Sequence, residues 1–321
     1  MENPSGSVYA DRRGEPVKQI RKGVYPTMIT PYTKDGEIDY AAVRRLTEWY
    51  MEKGCTGIFA VCQSSEMAFL SLAERVELAA TVVETANGRV SVVASGHCAE
   101  TLSEQAKEVR EIAATGVDAF VLVSNRLDLH HDGDDAWIDN AARLLDKTGE
   151  VPLGIYECPK PYKRLLTPRI LDWCLATKRF LFIKDTCCDP TMLEERLGKL
   201  RGSDLLLFNA NAQTLLYSLE RGAAGYSGIM ANFHPELFNY LCAHFAEDGE
   251  RAARLSALLA MMAWTESPAY PCTAKWYLNA HGVPMNTVAR SADEKLLTLY
   301  QKLTVEQMET LAAAAGKELF R

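Results

Sequence analysis

The chain has 321 residues, 48% of them hydrophobic and 24% charged, an ordinary globular composition and long enough to bury a large core without metal or disulfide staples. A net charge of −7, with acidic residues scattered along the chain, provides no electrostatic footprint for nucleic-acid binding. No apolar run reaches the roughly 18 residues of a membrane helix.

Residues 1–20 carry Gly, Pro and charge without periodicity and read as a flexible tail; they lack the apolar stretch of a secretory signal. Nine cysteines, an odd number with no CxxC pair, suit reduced thiols, so a cytoplasmic protein is expected. Cys187 and Cys188 read as buried, inert thiols.

From residue 21 onward, short apolar runs alternate with longer amphipathic segments. The runs cover 24–30, 57–62, 90–95, 118–123, 152–156, 180–183, 205–208 and 225–230, each nearly continuous in apolar character, as in strands buried on both faces of a parallel sheet. Helical spacing appears in 38–52, where Ile38, Ala42, Leu46, Trp49 and Tyr50 share a face and Gly54 ends the pattern. In 71–86, Ser71 and Glu74 form a capping box. Further helices are expected over 100–115, 134–147, 167–177, 190–200, 211–221 and 234–246. Eight strand–helix units predict an α/β fold, a (β/α)8 TIM barrel over 21–249. An open doubly wound sheet competes, but no G-x-G-x-x-G follows any strand. Residues 250–321 read as helices only, over 250–264, 272–281 and 292–316, and form a C-terminal helical appendage.

In such a barrel, function gathers at the carboxyl ends of the strands. The sixth strand, Phe180-Leu181-Phe182-Ile183, runs into Lys184. Pointed into the barrel mouth, that amine would lose water and tend towards the neutral form, the nucleophile that carbonyl chemistry requires. Snorkelling at the rim is the alternative. The fifth strand ends at Tyr156, placed either to pass a proton to a bound imine or to pack as a core aromatic. The second ends in Cys62-Gln63-Ser64-Ser65-Glu66, whose hydroxyls and N–H groups could hold a carboxylate.

These residues resemble the dihydrodipicolinate synthase/N-acetylneuraminate lyase family of class I, pyruvate-dependent aldolases, from about Gly23 to Val283. Phe182-Ile183-Lys184-Asp185-Thr186 is similar to the family's Schiff-base lysine strand, and Tyr156 stands 28 residues earlier, the spacing of its proton-relay tyrosine. Val24-Tyr25-Pro26-Thr27-Met28-Ile29-Thr30-Pro31 resembles the opening strand. Glu66 with Leu70–Arg75, the turn from Gly225 through Ser227 to Asn232, and Pro271–Lys275 also resemble family segments. The resemblance implies that Lys184 and Tyr156 are catalytic and that Gln63, Ser64, Ser65 and Ser227 hold substrate. It implies attack by Lys184 on the ketone of pyruvate or a longer 2-oxo (sugar) acid. The imine serves as electron sink, so neither metal nor organic cofactor is expected, and a homo-oligomer, tetramer or dimer, is.

The chain also departs from the family pattern. Gln63 replaces one relay hydroxyl, and an amide cannot shuttle a proton as a hydroxyl does. After the fourth strand, Ser124-Asn125-Arg126-Leu127 lacks the tyrosine that family members often extend into a neighbouring subunit. Pro161 occupies the position of the arginine that meets the second substrate's carboxylate in dihydrodipicolinate synthases; Arg164 or Lys163 on the same loop could substitute. Dihydrodipicolinate synthase-type condensation is therefore an alternative to sugar-acid cleavage. Two further alternatives are a catalytically silent barrel that binds a 2-oxo acid and a metal-dependent aldolase. For the last, His97, His130, His131 and His234 are the possible ligands, but they lie in no ligand motif and read as surface or capping residues.

Overall fold

A computed structural model describes residues 20–265 and 269–320, so the expected tail lies, except for Ile20, outside the described residues. Eight parallel strands are present: β1 (Gly23–Val24), β2 (Gly57–Phe59), β3 (Ser91–Ala94), β4 (Ala119–Val123), β5 (Leu153–Tyr156), β6 (Phe180–Asp185), β7 (Leu206–Asn209) and β8 (Gly225–Tyr226). They lie in chain order, with β1 hydrogen-bonded to β8. A parallel bridge between Thr27 and Phe59 joins the β1 segment to β2. The sheet thus curls into a (β/α)8 barrel.

The helices following these strands are α1 (Tyr40–Glu52), α2 (Leu72–Ala86), α3 (Leu102–Ala113), α4 (Asp134–Thr148), α5 (Pro168–Thr177), α6 (Pro190–Leu200), α7 (Leu215–Leu219) and α8 (Pro235–His244). Ser71 and Glu74 cap α2 reciprocally, as the sequence predicts. The helix expected over 211–221 is divided between a 3₁₀ turn at Ala212–Thr214 and α7. The first strand is shorter than its apolar run, since Pro26 has no N–H to continue the ladder. Beyond the barrel lie α9 (Gly249–Met262), α10 (Cys272–Ala280) and α11 (Leu299–Leu319).

Closure requires close backbone approach at β1 and β8. A Cβ on Gly225, whose φ is +156°, would overlap the Gly23 carbonyl. Inside the barrel, Tyr25, Phe182 and Phe208 pack in an aromatic layer, with Phe182 and Phe208 stacked at 4.7 Å.

The pairing of β5 with β6 decides the site. Leu153 faces Phe180, but Gly154 faces Phe182, so Leu181 is an extra residue on β6. An uninterrupted register would set Ile183 opposite Tyr156; the one-residue shift sets Lys184 there. Gly154 accommodates the shift, because a Cβ there would come within 3.0 Å of the Phe182 carbonyl.

Candidate active site

Lys184 and Tyr156 meet at the barrel mouth. The Lys184 Nζ lies 4.2 Å from the centre of the Tyr156 ring and 5.8 Å from that of Phe59. Lys184 is 5% exposed and Tyr156 3% exposed, so the pair is withdrawn from bulk water without being sealed from the mouth. Above the aromatic layer, Phe59 meets Tyr156 edge-on at 5.9 Å. The phenol hydrogen-bonds to the Cys158 thiol, and burial holds its pKa well above that of free tyrosine, with Cys158 and Cys62 adding to the rise. The phenol therefore keeps its proton until a stronger base forms beside it.

A buried charge cluster supports this pair from behind. Tyr156 and Lys184 face inward; the next residue on each strand, Glu157 and Asp185, faces outward to Arg196 on α6. Arg196 donates to Glu157 at 2.7 Å and also to Asp185. Both carboxylates are fully buried. Glu157 also accepts from the N–H of Leu166 at 2.7 Å and of Thr186 at 2.9 Å, while the Thr186 hydroxyl donates to the Glu157 carbonyl. One guanidinium thus pins the tips of β5 and β6 in the register that sets amine beside phenol. Burial and the neighbouring Asp185 push Glu157 up, against the pull of Arg196.

The turn after β2 is divided in its roles. Ser65 donates to the Met28 and Ala60 carbonyls and accepts from the Cys62 N–H, so its hydroxyl braces β1 against β2. The Ser64 hydroxyl instead donates to Thr27 Oγ1 at 3.1 Å, and half-buried Gln63 accepts from the Cys158 thiol at 3.5 Å. Glu66, in a left-handed conformation at φ 62°, turns away from the mouth. It accepts from the N–H of Arg290 and Ser291 at 2.6 Å each and pairs with Lys275 at 3.3 Å, tying the C-terminal segment to the barrel.

On the loop after β5, Arg164 donates to Asp128 at 2.8 Å and Asp134 at 2.7 Å. Its fork joins the loop to two carboxylates in the segment after β4. From the tip of β4, the Asn125 amide donates to the carbonyls of Cys158, Lys160 and Tyr162 and fixes the same loop. The Ser227 hydroxyl, at the tip of β8, is buried and finds no hydrogen-bond partner among the described residues.

The histidines correct the sequence reading in part. His130 and His131 are exposed, but His97 and His234 are core residues. His97 Nε2 accepts from the Val123 N–H at 2.5 Å, leaving Nδ1–H to donate to Gln105 at 3.1 Å; burial pushes its pKa down to about 4. His234 lies 3.2 Å from the Tyr277 hydroxyl and is pushed down to about 3, chiefly by burial. No group of three or more His, Cys, Asp or Glu side chains is placed to hold a metal among the described residues. Cys188 is exposed and Cys187 half-buried, against the buried pair expected. No described helix is long and apolar enough to cross a membrane.

Comparison with known proteins bears on the fold and the family. A curated relative, 4-hydroxy-tetrahydrodipicolinate synthase of Shewanella sp. (strain ANA-3), is 25% identical over 263 residues, covering 81% of this chain and 88% of its own. The enzyme of the same name from Ruegeria pomeroyi is 28% identical over 226 residues, 70% of this chain and 74% of its own. Among solved structures, the sialic acid aldolase of Ruminococcus gnavus superposes with a TM-score of 0.82 at 19% identity, covering 93% of this chain and 99% of that one. The dihydrodipicolinate synthase of Acinetobacter baumannii, complexed with pyruvate, gives 0.77 at 21% identity, covering 92% and 99%. The sequence model of the dihydrodipicolinate synthetase family matches residues 21–313, and this chain belongs to that family.

Proposed function

We propose that Lys184 adds to the ketone of pyruvate or a longer 2-oxo acid, forming an imine beside which a carbon–carbon bond is cleaved or made. The observation that carries this reading is the amine lying on the face of the phenol, with both groups buried at the mouth and held in register by the β6 bulge. In this reading Tyr156 protonates the departing oxygen as the imine forms, takes a proton when the adjacent carbon loses one and returns it when that carbon gains one. The protonated imine draws electrons from the breaking bond, so the chemistry requires no further electrophile.

The remaining roles follow from placement. The turn carrying Gln63 and Ser64, with the Ser65 main chain, is proposed to receive the 2-oxo acid's carboxylate. Ser227 offers an unengaged hydroxyl to the body of the substrate. Arg164 is proposed to act by shaping the loop through Asp128 and Asp134. Cleavage of a sugar-type 2-oxo acid is favoured over the condensation in the curated relatives' names, because Pro161 supplies no cation for a second carboxylate. A cytoplasmic homo-oligomer acting on small molecules, without nucleic-acid or membrane partners, completes the proposal.

Its test is a panel of 2-oxo sugar acids assayed for released pyruvate. Cleavage that survives a chelator and is abolished by borohydride only when a 2-oxo acid is present supports the reading. Binding of 2-oxo acids with neither cleavage nor condensation would make the barrel a sensor.

A further inference from the structure

The sequence removes a relay hydroxyl at Gln63, which leaves open how the Tyr156 proton is replaced. The residues nearest the phenol supply a candidate. Cys158, two residues beyond Tyr156, is buried, shares a hydrogen bond with the phenol, and donates to Gln63 Oε1 at 3.5 Å. The Asn125 amide holds the Cys158 carbonyl at 3.0 Å, which fixes the thiol's backbone. Gln63 accepts but does not pass a proton onward, so the chain of donors begins at sulfur.

We propose that Cys158 is the proton reservoir for Tyr156, in place of a hydroxyl relay to solvent. The inference rests on the reading that Lys184 forms an imine. When the carbinolamine on Lys184 collapses, its C–O bond breaks, Tyr156 gives its proton to the leaving oxygen, and water departs. The S–H of Cys158 then swings from Gln63 to the phenolate, restoring the phenol and leaving a thiolate. An ordinary thiol is more acidic than a phenol by about 1.5 pK units, so this transfer runs downhill. The site then holds a positive iminium and a negative thiolate. Loss of a proton from the carbon beside the iminium gives a neutral enamine, and that proton returns through Tyr156 to the thiolate. No proton needs to leave the mouth, and the site ends with the charge it held when the carbinolamine formed, that of the substrate's carboxylate.

The surroundings favour a thiol in the resting state. Burial pushes Cys158 up and Cys62 reinforces it, while Lys184, Tyr156 and the Lys160 backbone pull it down. Cys98, from the segment after β3, is the other titrating neighbour. Cys158 thus acts through Tyr156 and touches no substrate atom itself.

The test compares wild type, Cys158→Ser and Tyr156→Phe by the rate at which pyruvate and borohydride trap the Lys184 adduct, across pH. Serine keeps the size and the hydrogen bonds but is too weak an acid to supply a proton. We expect Cys158→Ser to slow trapping by about tenfold or more at neutral pH and to flatten its pH dependence. Equal rates and an unchanged profile overturn the proposal while leaving the imine reading intact; absence of any adduct in wild type overturns the imine reading instead. A second measurement needs no variant. On stopped-flow mixing, pyruvate should transiently raise the ultraviolet thiolate band of the wild-type enzyme but not of Tyr156→Phe, and the lack of any transient during adduct formation overturns the relay.

Discussion

Two lysines are buried among the described residues, and their surroundings differ. Lys275 is fully buried, paired with Glu66 at 3.3 Å and donating to the Val288 carbonyl at 2.6 Å. Lys184 is 5% exposed and lies over the rings of Tyr156 and Phe59. Surrounding an amine with a carboxylate and a carbonyl makes a fastener; setting it against a phenol at the barrel mouth suits the nucleophile proposed above. Burial alone therefore does not separate the two lysines; the proposal that Lys184 is catalytic rests on its place beside Tyr156.

The largest effect that sharpens this contrast is on turnover. Lys184→Met should abolish carbon–carbon chemistry, by about 10⁴-fold or more, measured as pyruvate release. Lys275→Met should retain adduct formation at Lys184 but lower the unfolding free energy by about 3 kcal/mol, because it strands Glu66 in the interior. Loss of adduct formation in a folded Lys275→Met protein would break the distinction.

Arg196→Met probes the support behind Lys184 and Tyr156. It leaves Glu157 and Asp185 buried without their shared cation, and denaturant titration should show a loss of about 3–5 kcal/mol. Any folded fraction should trap pyruvate more slowly than wild type, since the tips of β5 and β6 are no longer pinned.

A pH series separates core from site. His97 titrates near 6.5 when unfolded and about 4 in the fold, so the unfolded chain binds the extra proton between those values. Its contribution is fully present above pH 6.5 and is lost as pH falls towards about 4, on the order of 3 kcal/mol in all. His97→Gln should flatten that part of the stability profile in thermal melts. The smallest effect belongs far from the mouth: Ser71→Ala should cost about 1 kcal/mol through the lost cap of α2 and leave turnover unchanged.

The sequence displays what is local. Continuous apolar runs reveal the strands because both faces of each are buried, and Ser71 and Glu74 reveal a helix start because a capping box spans four residues. Lys184 and Tyr156 are legible through their spacing of 28 residues, which the structure shows to be the β5–β6 register after the bulge at Leu181. What stays hidden is pairing over distance. Cys158 meets Gln63 across 95 residues, Arg196 meets Glu157 across 39, and Lys275 meets Glu66 across 209. Arg164 reads as a free cation until the fold supplies Asp128 and Asp134. His97 and His234 read as surface groups because a polar side chain in a short window does not announce the neighbours that bury it.

The most direct test of the account is peptide mapping by mass spectrometry after borohydride reduction in the presence of pyruvate. The account predicts a carboxyethyl group on Lys184 and none on Lys275. An unmodified Lys184, or an adduct confined to other lysines, would contradict it.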